Sequence, residues 1–122
     1  MHISEAESVV MQALWTQGPM TADQVIAEVA AGQGWQEPTV KTLLNRLLTK
    51  GAISATREGR RYVYAAELSH EDWLGTESQS LLDRLFGGRV APLVAHFSDR
   101  RKLSKKDLAE LKKLVRELDD ES

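Results

Sequence analysis

The stretch EPTVKTLLNRLLTKGAISATREGRRYVYAA, residues 37–66, decides the fold of this 122-residue chain. Its first half places apolar side chains at the i, i+3, i+4 and i+7 spacing of one buried helix face, namely Val40, Leu43, Leu44 and Leu47. Pro38 suits the first turn of a helix, and Gly51 suits the position just past its end. The pattern predicts an amphipathic helix from Glu37 to Lys50.

The opposite face of this predicted helix is polar. If the N-terminal half of such a helix enters a DNA major groove, its side chains reach base edges, where arginine pairs with guanine and asparagine with adenine. A solvated helix surface has a similar composition, so the prediction of DNA contact depends on the segment that comes after the helix. The predicted DNA-contacting residues of this helix are Thr39, Lys41, Thr42, Asn45, Arg46, Thr49 and Lys50.

A β-hairpin is predicted directly after the helix. Residues 53–57 and 62–65 are rich in β-branched and aromatic side chains, and residues 58–60 between them form the turn. Over residues 39–61, six basic residues and one acidic residue give a local charge of +5, although the whole chain has a net charge of −2. Such a local basic surface is typical of nucleic-acid binding. Three arginines near the turn are predicted to contact phosphates or the minor groove, namely Arg57, Arg60 and Arg61.

Two further helices are predicted before this segment. The motifs S-x-x-E at residues 4–7 and T-x-x-Q at residues 21–24 are typical capping boxes at helix starts. They predict one helix over residues 4–17 and a second, short helix over about residues 21–31. Three helices followed by a hairpin are the order of a winged helix. We therefore expect residues 1–66 to form a winged helix-turn-helix DNA-binding domain within a mainly α-helical fold.

The chain beyond residue 66 contains predicted helices alone. Capping signals at Ser69 and Ser104, and a break at Gly87-Gly88, divide it into three helices with apolar stripes. Because such a short segment makes a weak core by itself, we expect residues 67–122 to form a helical dimerisation domain in a homodimer. Packing of these helices on the winged helix of the same chain is the alternative. The predicted dimer contacts are Leu74, Leu81, Leu85, Val94, Leu108, Leu111, Val115 and Leu118.

Composition and motifs exclude several classes of protein. Since the chain has no cysteine, disulfides and thiolate metal sites are excluded. His2, His70 and His96 are too dispersed to suggest a metal site, so no metal and no cofactor is predicted. No nucleophile motif, P-loop or dinucleotide fingerprint occurs, so no enzyme and no catalytic residue is predicted. The absence of a signal segment and of a membrane span predicts a cytoplasmic protein without membrane insertion.

Several stretches of the chain resemble a known family of repressors. In the first predicted domain these are Ile3-Ser4-Glu5-Ala6-Glu7, Trp15, Thr39-Val40-Lys41-Thr42-Leu43-Leu44, Arg46-Leu47 and Lys50-Gly51. In the second they are Leu82, Leu85, Phe86, Gly88, Leu93-Val94 and Phe97. Over nearly its full length the chain resembles the BlaI/MecI penicillinase repressors, to which the copper-responsive CopY group is related. The resemblance implies a homodimer that represses a promoter, with the 37–50 helix in the major groove and interlocked tail helices.

The resemblance also implies a route to derepression. In this family, a membrane sensor metalloprotease pathway cuts the repressor in its tail, between an asparagine and a phenylalanine. The matching pair here is His96-Phe97, in which histidine replaces the asparagine. A cut at this bond would remove the last helix from the dimer interface and lower operator occupancy. The copper-sensing cysteine cluster of the CopY group is absent from this sequence.

Two other functions fit the same pattern. In a winged-helix protein-interaction module, the polar helix face would contact another protein, and binding need not weaken steeply with salt. A ligand-responsive regulator of the MarR type shares the winged helix but usually places its dimerisation helices before it, whereas the capping signal here puts the first helix at Ser4. The three arginines at the hairpin turn argue against the first alternative, and the placement of the helices argues against the second.

Overall fold

A computed structural model describes residues 1–121 of the chain. Within them the chain forms six α-helices and three β-strands, which confirms the predicted mainly α-helical fold with a small β element. The chain divides into two compact units, the head, residues 1–75, and the arm, from residue 76 onward. The elements in order are α1 (Glu5–Gln17), β1 (Met20–Thr21), α2 (Ala22–Gln33), α3 (Glu37–Lys50), β2 (Ile53–Glu58), β3 (Arg61–Ala66), α4 (His70–Phe86), α5 (Val90–Asp99) and α6 (Lys105–Glu121).

Both capping boxes predicted from the sequence are present. The Glu7 backbone N–H donates to Ser4 Oγ at 3.1 Å, and the Ser4 N–H donates to Glu7 Oε1 at 2.9 Å. Thr21 and Gln24 form the same reciprocal pair at the start of α2, at 3.3 and 2.9 Å. These bonds satisfy N–H groups that have no partner inside the helix, so they fix where α1 and α2 begin.

Glycines with left-handed backbone conformation end α2 and α3. α3 ends at Lys50 as predicted, because Gly51 follows it with φ +77°. The predicted end of α2 near residue 31 is too early, since the helix continues to Gln33. Gly32 stays helical, and Gly34, at φ +70°, ends the helix with its N–H bonded to the Ala30 carbonyl. Left-handed geometry rather than the mere presence of glycine therefore decides where α2 ends.

The hairpin belongs to a three-stranded antiparallel sheet with the strand order β1-β3-β2. The sequence predicts only the hairpin and misses β1, which pairs Met20 with Tyr64 and Thr21 with Val63. A two-residue strand is too short to show the alternating pattern by which strands are recognised. β2 and β3 each extend further towards the turn than predicted, so that Glu58 pairs with Arg61 and a two-residue loop remains. Gly59 in that loop has φ +64°, which favours glycine.

The core of the head packs α1, α2 and α3 against the base of the sheet. All four residues of the predicted apolar stripe of α3 are buried there, which confirms that prediction. The other buried apolar residues of this cluster are Ile3, Val10, Met11, Ala13, Leu14, Met20, Val25, Val29, Ala52 and Ile53. The three-helix core with its hairpin confirms the predicted winged helix.

The start of α4 is attached to the head by aromatic packing and backbone hydrogen bonds. Trp15 Nε1 donates to the Leu68 carbonyl at 2.8 Å, and the Trp15 ring lies 5.3 Å from the Trp73 ring and 4.9 Å from the His70 ring. The backbone N–H groups of residues 67 and 68 both donate to the Ala52 carbonyl, at 2.9 and 3.1 Å. For this reason the head extends through residue 75, past residue 66, where the sequence places the domain boundary.

The arm has a different character from the head. None of its residues within 76–121 is buried, and large apolar side chains of α4, α5 and α6 are exposed. Asp107 N–H donates to Ser104 Oγ at 3.0 Å, so the predicted cap of the last helix is present. Across residues 1–121, no helix combines the length and apolar character that crossing a membrane requires.

An ion pair between a buried carboxylate and a partly exposed lysine joins the start of α1 to the end of α3. Glu7 is only 2% exposed, and its Oε1 accepts a hydrogen bond from Lys50 Nζ at 2.5 Å. Lys50 Nζ also donates to the His2 carbonyl at 3.1 Å. Burial by itself would raise the pKa of the Glu7 carboxyl, but the hydrogen bonds from Lys50 and Ser4, together with the Lys50 charge, lower it overall. The ionised carboxylate is therefore the form that the fold stabilises.

We predict that Lys50→Met destabilises the protein by about 3 kcal/mol at neutral pH, because it leaves the Glu7 carboxylate buried without its cation. Glu7→Gln should cost less, about 1 kcal/mol, since Lys50 keeps access to solvent. Because the folded pKa of Glu7 lies below 4.5, the contribution of the pair is complete above that pH and is lost as the pH falls through the folded value.

Urea unfolding of both variants and the wild type, at neutral pH and in steps below pH 4.5, measures this effect. The difference between Lys50→Met and the wild type should shrink in acid. A Glu7→Gln variant less stable than Lys50→Met at neutral pH would contradict the order expected from carboxylate burial.

Candidate nucleic-acid interface

The polar face of α3 is open to solvent along its whole length. Because its apolar stripe is buried in the core, the opposite side of the helix faces outward. All seven residues predicted on this face are exposed, namely Thr39, Lys41, Thr42, Asn45, Arg46, Thr49 and Lys50. Exposure is therefore common to the whole predicted set, but Lys50 Nζ is turned towards Glu7 and the His2 carbonyl. The contact of all seven residues with DNA stays a prediction.

The hydrogen bonds within this face determine which groups are available to a ligand. Thr42 Oγ1 donates to the Pro38 carbonyl at 2.9 Å, and Thr49 Oγ1 donates to the Asn45 carbonyl at 3.0 Å. Each hydroxyl oxygen keeps its capacity to accept a hydrogen bond. Among residues 1–121, the Arg46 guanidinium has no hydrogen-bond or ion-pair partner. Arg46 is therefore the cation of this helix with all its donors free.

The two lysines of α3 are each paired with a carboxylate. Lys41 Nζ lies 2.9 Å from Glu37 Oε1, one helical turn earlier, and both side chains are more than half exposed. The hydrogen bond to Glu37 and the charge of that carboxylate raise the pKa of Lys41, with smaller contributions from Asp23 and Tyr64. Lys50 is held by the buried Glu7. Contact of Lys50 with DNA remains a prediction, and the role that the structure shows for Lys50 is structural.

The hairpin carries the three predicted arginines at its exposed end, here called the arginine tip and consisting of Arg57, Arg60 and Arg61. Arg57 Nε donates to the Gly59 carbonyl at 3.0 Å, so it braces the loop. In the part of the chain that the structure describes, the guanidinium groups of the other two have no hydrogen-bond or ion-pair partner. Since β2 follows α3 directly and lies against it, the tip and the polar face belong to the same compact unit.

Tyr62 is an exposed aromatic residue that was not predicted as part of the interface. It pairs across the hairpin with Arg57 and is 52% exposed. Strand alternation places it on the same sheet face as Tyr64 and Ala66, which pack against the core. The run RRYVY, in which aromatic residues follow basic ones, is the signal that would have identified it. A second missed residue is Glu37, whose carboxylate lies on the polar face beside Lys41.

The predicted dimer contacts are mostly exposed in the single chain. Leu85 is 64% exposed and Val115 is 56% exposed, whereas Val94 and Leu111 are partly buried between α5 and α6. An apolar groove of about 980 Å³ lies along these two arm helices. The remaining predicted contacts are all exposed, namely Leu74, Leu81, Leu108 and Leu118. Their role in dimerisation stays a prediction.

The predicted cleavage pair lies inside α5. His96 and Phe97 are both exposed, Phe97 to 43%, and their rings are 5.7 Å apart. The Phe86 ring lies 6.3 Å from the His96 ring. A helical peptide bond must unwind locally before it fits the extended cleft of a protease, so cutting here requires opening of α5. Within residues 1–121, no three histidine, cysteine or acidic side chains are grouped so as to hold a metal ion.

The family model described as Penicillinase repressor matches residues 3–117. The penicillinase repressor of Bacillus licheniformis is 32% identical over 115 residues, which are 94% of this chain and 90% of that protein. The methicillin resistance regulatory protein MecI of Staphylococcus aureus strain N315 is 26% identical over 113 residues, 93% of this chain and 92% of that protein.

A solved structure supports the same assignment for the head. The Bacillus licheniformis BlaI monomer in complex with the blaP half-operator superposes with a TM-score of 0.54 at 35% identity, covering 59% of this chain and 88% of that chain. The two curated relatives described above are named as a repressor and a regulatory protein and not as enzymes. The family resemblance seen in the sequence is thus confirmed, and the chain belongs to the penicillinase repressor family.

Proposed function

We propose that this member of the penicillinase repressor family is a homodimeric transcriptional repressor that binds palindromic operator DNA through its winged helix. The observation that carries the proposal is the exposed polar face of α3 next to the arginine tip in one compact unit. The relative whose structure matches the head, BlaI, is bound to a half-operator in that structure. Repression then follows from occupation of a promoter, and the chain needs no catalytic group for it.

The two parts of the surface have different roles in this proposal. The N-terminal half of α3 enters the major groove, where Asn45 and Arg46 contact base edges and read sequence. The arginine tip contacts phosphates or the minor groove and fixes the position of the head on the duplex. Contacts to phosphates carry affinity, whereas contacts to base edges carry specificity. The unpartnered guanidinium groups are suited to both tasks, because no internal ion pair has to be broken.

The arm provides the surface that binds the second copy of the chain. Exposed leucines and valines along α4, α5 and α6 are costly in water, and a two-fold partner that covers them offsets that cost. The groove between α5 and α6 is lined by Val90, Val94, Leu108, Leu111, Val115 and Leu118, and a helix of the partner arm fits such a groove. A dimer presents two heads, so that binding of the second head becomes intramolecular and a palindrome is the matching target.

The proposal also includes relief of repression by proteolysis of the arm. A membrane sensor metalloprotease pathway that cuts between His96 and Phe97 would separate α6 from the rest of the arm. Without α6, the groove that covers the partner is incomplete, and the repressor dissociates from DNA by mass action. The exposure of both residues supports this bond as the target.

The arginines give a test of DNA binding and of the division of roles. Arg46→Ala should reduce discrimination at one base pair of each half-site by about 1–3 kcal/mol. Arg60→Ala should weaken binding to all sequences alike and lower the slope of log affinity against log salt by about one per head. Fluorescence anisotropy with operator and scrambled duplexes over a salt series measures both effects.

Arg84→Ala in α4 is the matched control, since it removes the same charge from the exposed surface of the arm. A wild-type affinity that hardly changes with salt would favour the protein-interaction module instead. Equal loss of discrimination from Arg46→Ala and Arg60→Ala would refute the separation of base reading from phosphate contact.

A charge in the arm groove tests the dimer. Val115→Asp should shift the protein from dimer to monomer, because a carboxylate would be buried in an apolar interface. Lys113→Asp, on the same helix but outside the groove, should leave the dimer intact. Sedimentation velocity measures the mass of each variant. If Val115→Asp remains a dimer, the interface lies elsewhere on the chain.

The consequence of a cut can be measured on a chain that ends at His96. Removal of residues 97–122 should yield a monomer that still binds a half-site but binds the full palindrome on the order of 10² to 10⁴ times more weakly than the wild type. Anisotropy with half-site and palindromic duplexes provides the comparison. Full operator affinity in the shortened protein would show that a cut at this bond does not relieve repression.

A further inference from the structure

We propose that Glu37 is a specificity-determining residue: its carboxylate accepts a hydrogen bond from the N4 amino group of cytosine in the major groove, while Lys41 transfers from Glu37 to a DNA phosphate. The inference rests on the proposed function and extends it to one base of the half-site. Glu37 is an acidic residue on a surface for which contact with a polyanion would favour basic residues only.

The geometry places an acid at the part of α3 that enters the groove. Glu37 is the first residue of α3, and its Oε1 lies 2.9 Å from Lys41 Nζ. The Glu37 side chain is 56% exposed and the Lys41 side chain 57%, so both can change partners without any rearrangement of the core. A side chain on the first turn of a recognition helix is within reach of base edges.

The ion pair is weak enough to be exchanged. Exposed i,i+4 ion pairs shift a helix equilibrium by only about twofold. A phosphate close to Lys41 competes readily for the ammonium group, because charge-assisted hydrogen bonds to phosphate are strong. When Lys41 changes partner, the Glu37 carboxylate is left in the groove without its cation.

A carboxylate in this position selects among bases. It accepts hydrogen bonds and donates none, so it is repelled by the O6 and N7 atoms of guanine and the O4 atom of thymine. Adenine offers its N6 amino group beside the N7 acceptor of the same base, whereas the major-groove edge of cytosine carries the N4 amino group and no acceptor of its own. Cytosine is therefore the base that satisfies Glu37. Asp23 also acts electrostatically on Lys41, so the negative charge near this lysine is not confined to Glu37.

A purely structural role makes a different prediction. An acid at the first position of a helix interacts favourably with the helix dipole, and loss of that interaction would alter stability or affinity for all sequences alike. A role in base reading changes the preference at a single position. Sequence preference is thus the readout that separates the two roles.

The test is selection from duplexes with randomised half-sites, using the full-length wild type, Glu37→Gln and Glu37→Ala. The wild type should enrich cytosine at one position, with a preference of about tenfold. Glu37→Gln should shift that position towards adenine, since glutamine pairs with the N6 and N7 atoms of adenine. Glu37→Ala should lose the preference there and bind random duplex about twofold more tightly, because no ion pair holds Lys41.

Glu28→Gln is the matched control, since it removes an exposed acid that lines a cleft between α1 and α2 and is not on α3. It should select the same sequences as the wild type. Unchanged preferences at the other positions show that the Glu37 variants are folded. If all three proteins select one and the same sequence, the role of Glu37 is refuted while the proposed function stands. If the wild type itself selects nothing, the proposed function fails.

Discussion

The rotation of α3 about its own axis is the constraint on which the head depends. Four of its residues, Val40, Leu43, Leu44 and Leu47, are buried together in the core. Burying each aliphatic side chain contributes about 1.5–3 kcal/mol, far more than an exposed polar contact does. The core therefore determines which side of α3 faces outward, and the polar face exists before any ligand is bound. For this reason the outward side of α3 carries Thr42, Asn45, Arg46 and Thr49. Their position follows from the burial of the apolar stripe and needs no contact made by these four side chains.

The charge of the interface is smaller than the sequence indicates. Of the basic residues between Thr39 and Arg61, Lys41 and Lys50 are each paired with a carboxylate. Lys50 occupies the C-terminal turn of α3, where a cation also interacts favourably with the helix dipole. The attraction of the head for a polyanion thus depends mainly on its arginines, whose guanidinium groups remain solvated. A count of formal charges does not distinguish a structural lysine from a ligand-binding one.

The sequence predicts those features whose causes are local. The Ser4 and Thr21 caps, the end of α3 at Gly51 and the two strands of the hairpin all follow from a few adjacent residues. Features that depend on distant partners are missed. β1 exists because Met20 and Thr21 meet β3, more than forty residues later in the chain. The ion pair of Lys50 with Glu7 and the attachment of Leu68 to Trp15 have the same non-local origin.

The aromatic cluster at the start of α4 has a practical consequence for studies of this protein in solution. Two of the three tryptophans of the chain, Trp15 and Trp73, pack there with His70 in tilted and edge-on arrangements, and Trp15 Nε1 donates to the Leu68 carbonyl. Aromatic rings held in fixed tertiary packing give a near-ultraviolet circular dichroism signal, and that signal is lost when the packing loosens. The molecule therefore carries an intrinsic optical probe at the point where α4 leaves the winged helix. Loosening of that attachment becomes visible without any extrinsic label.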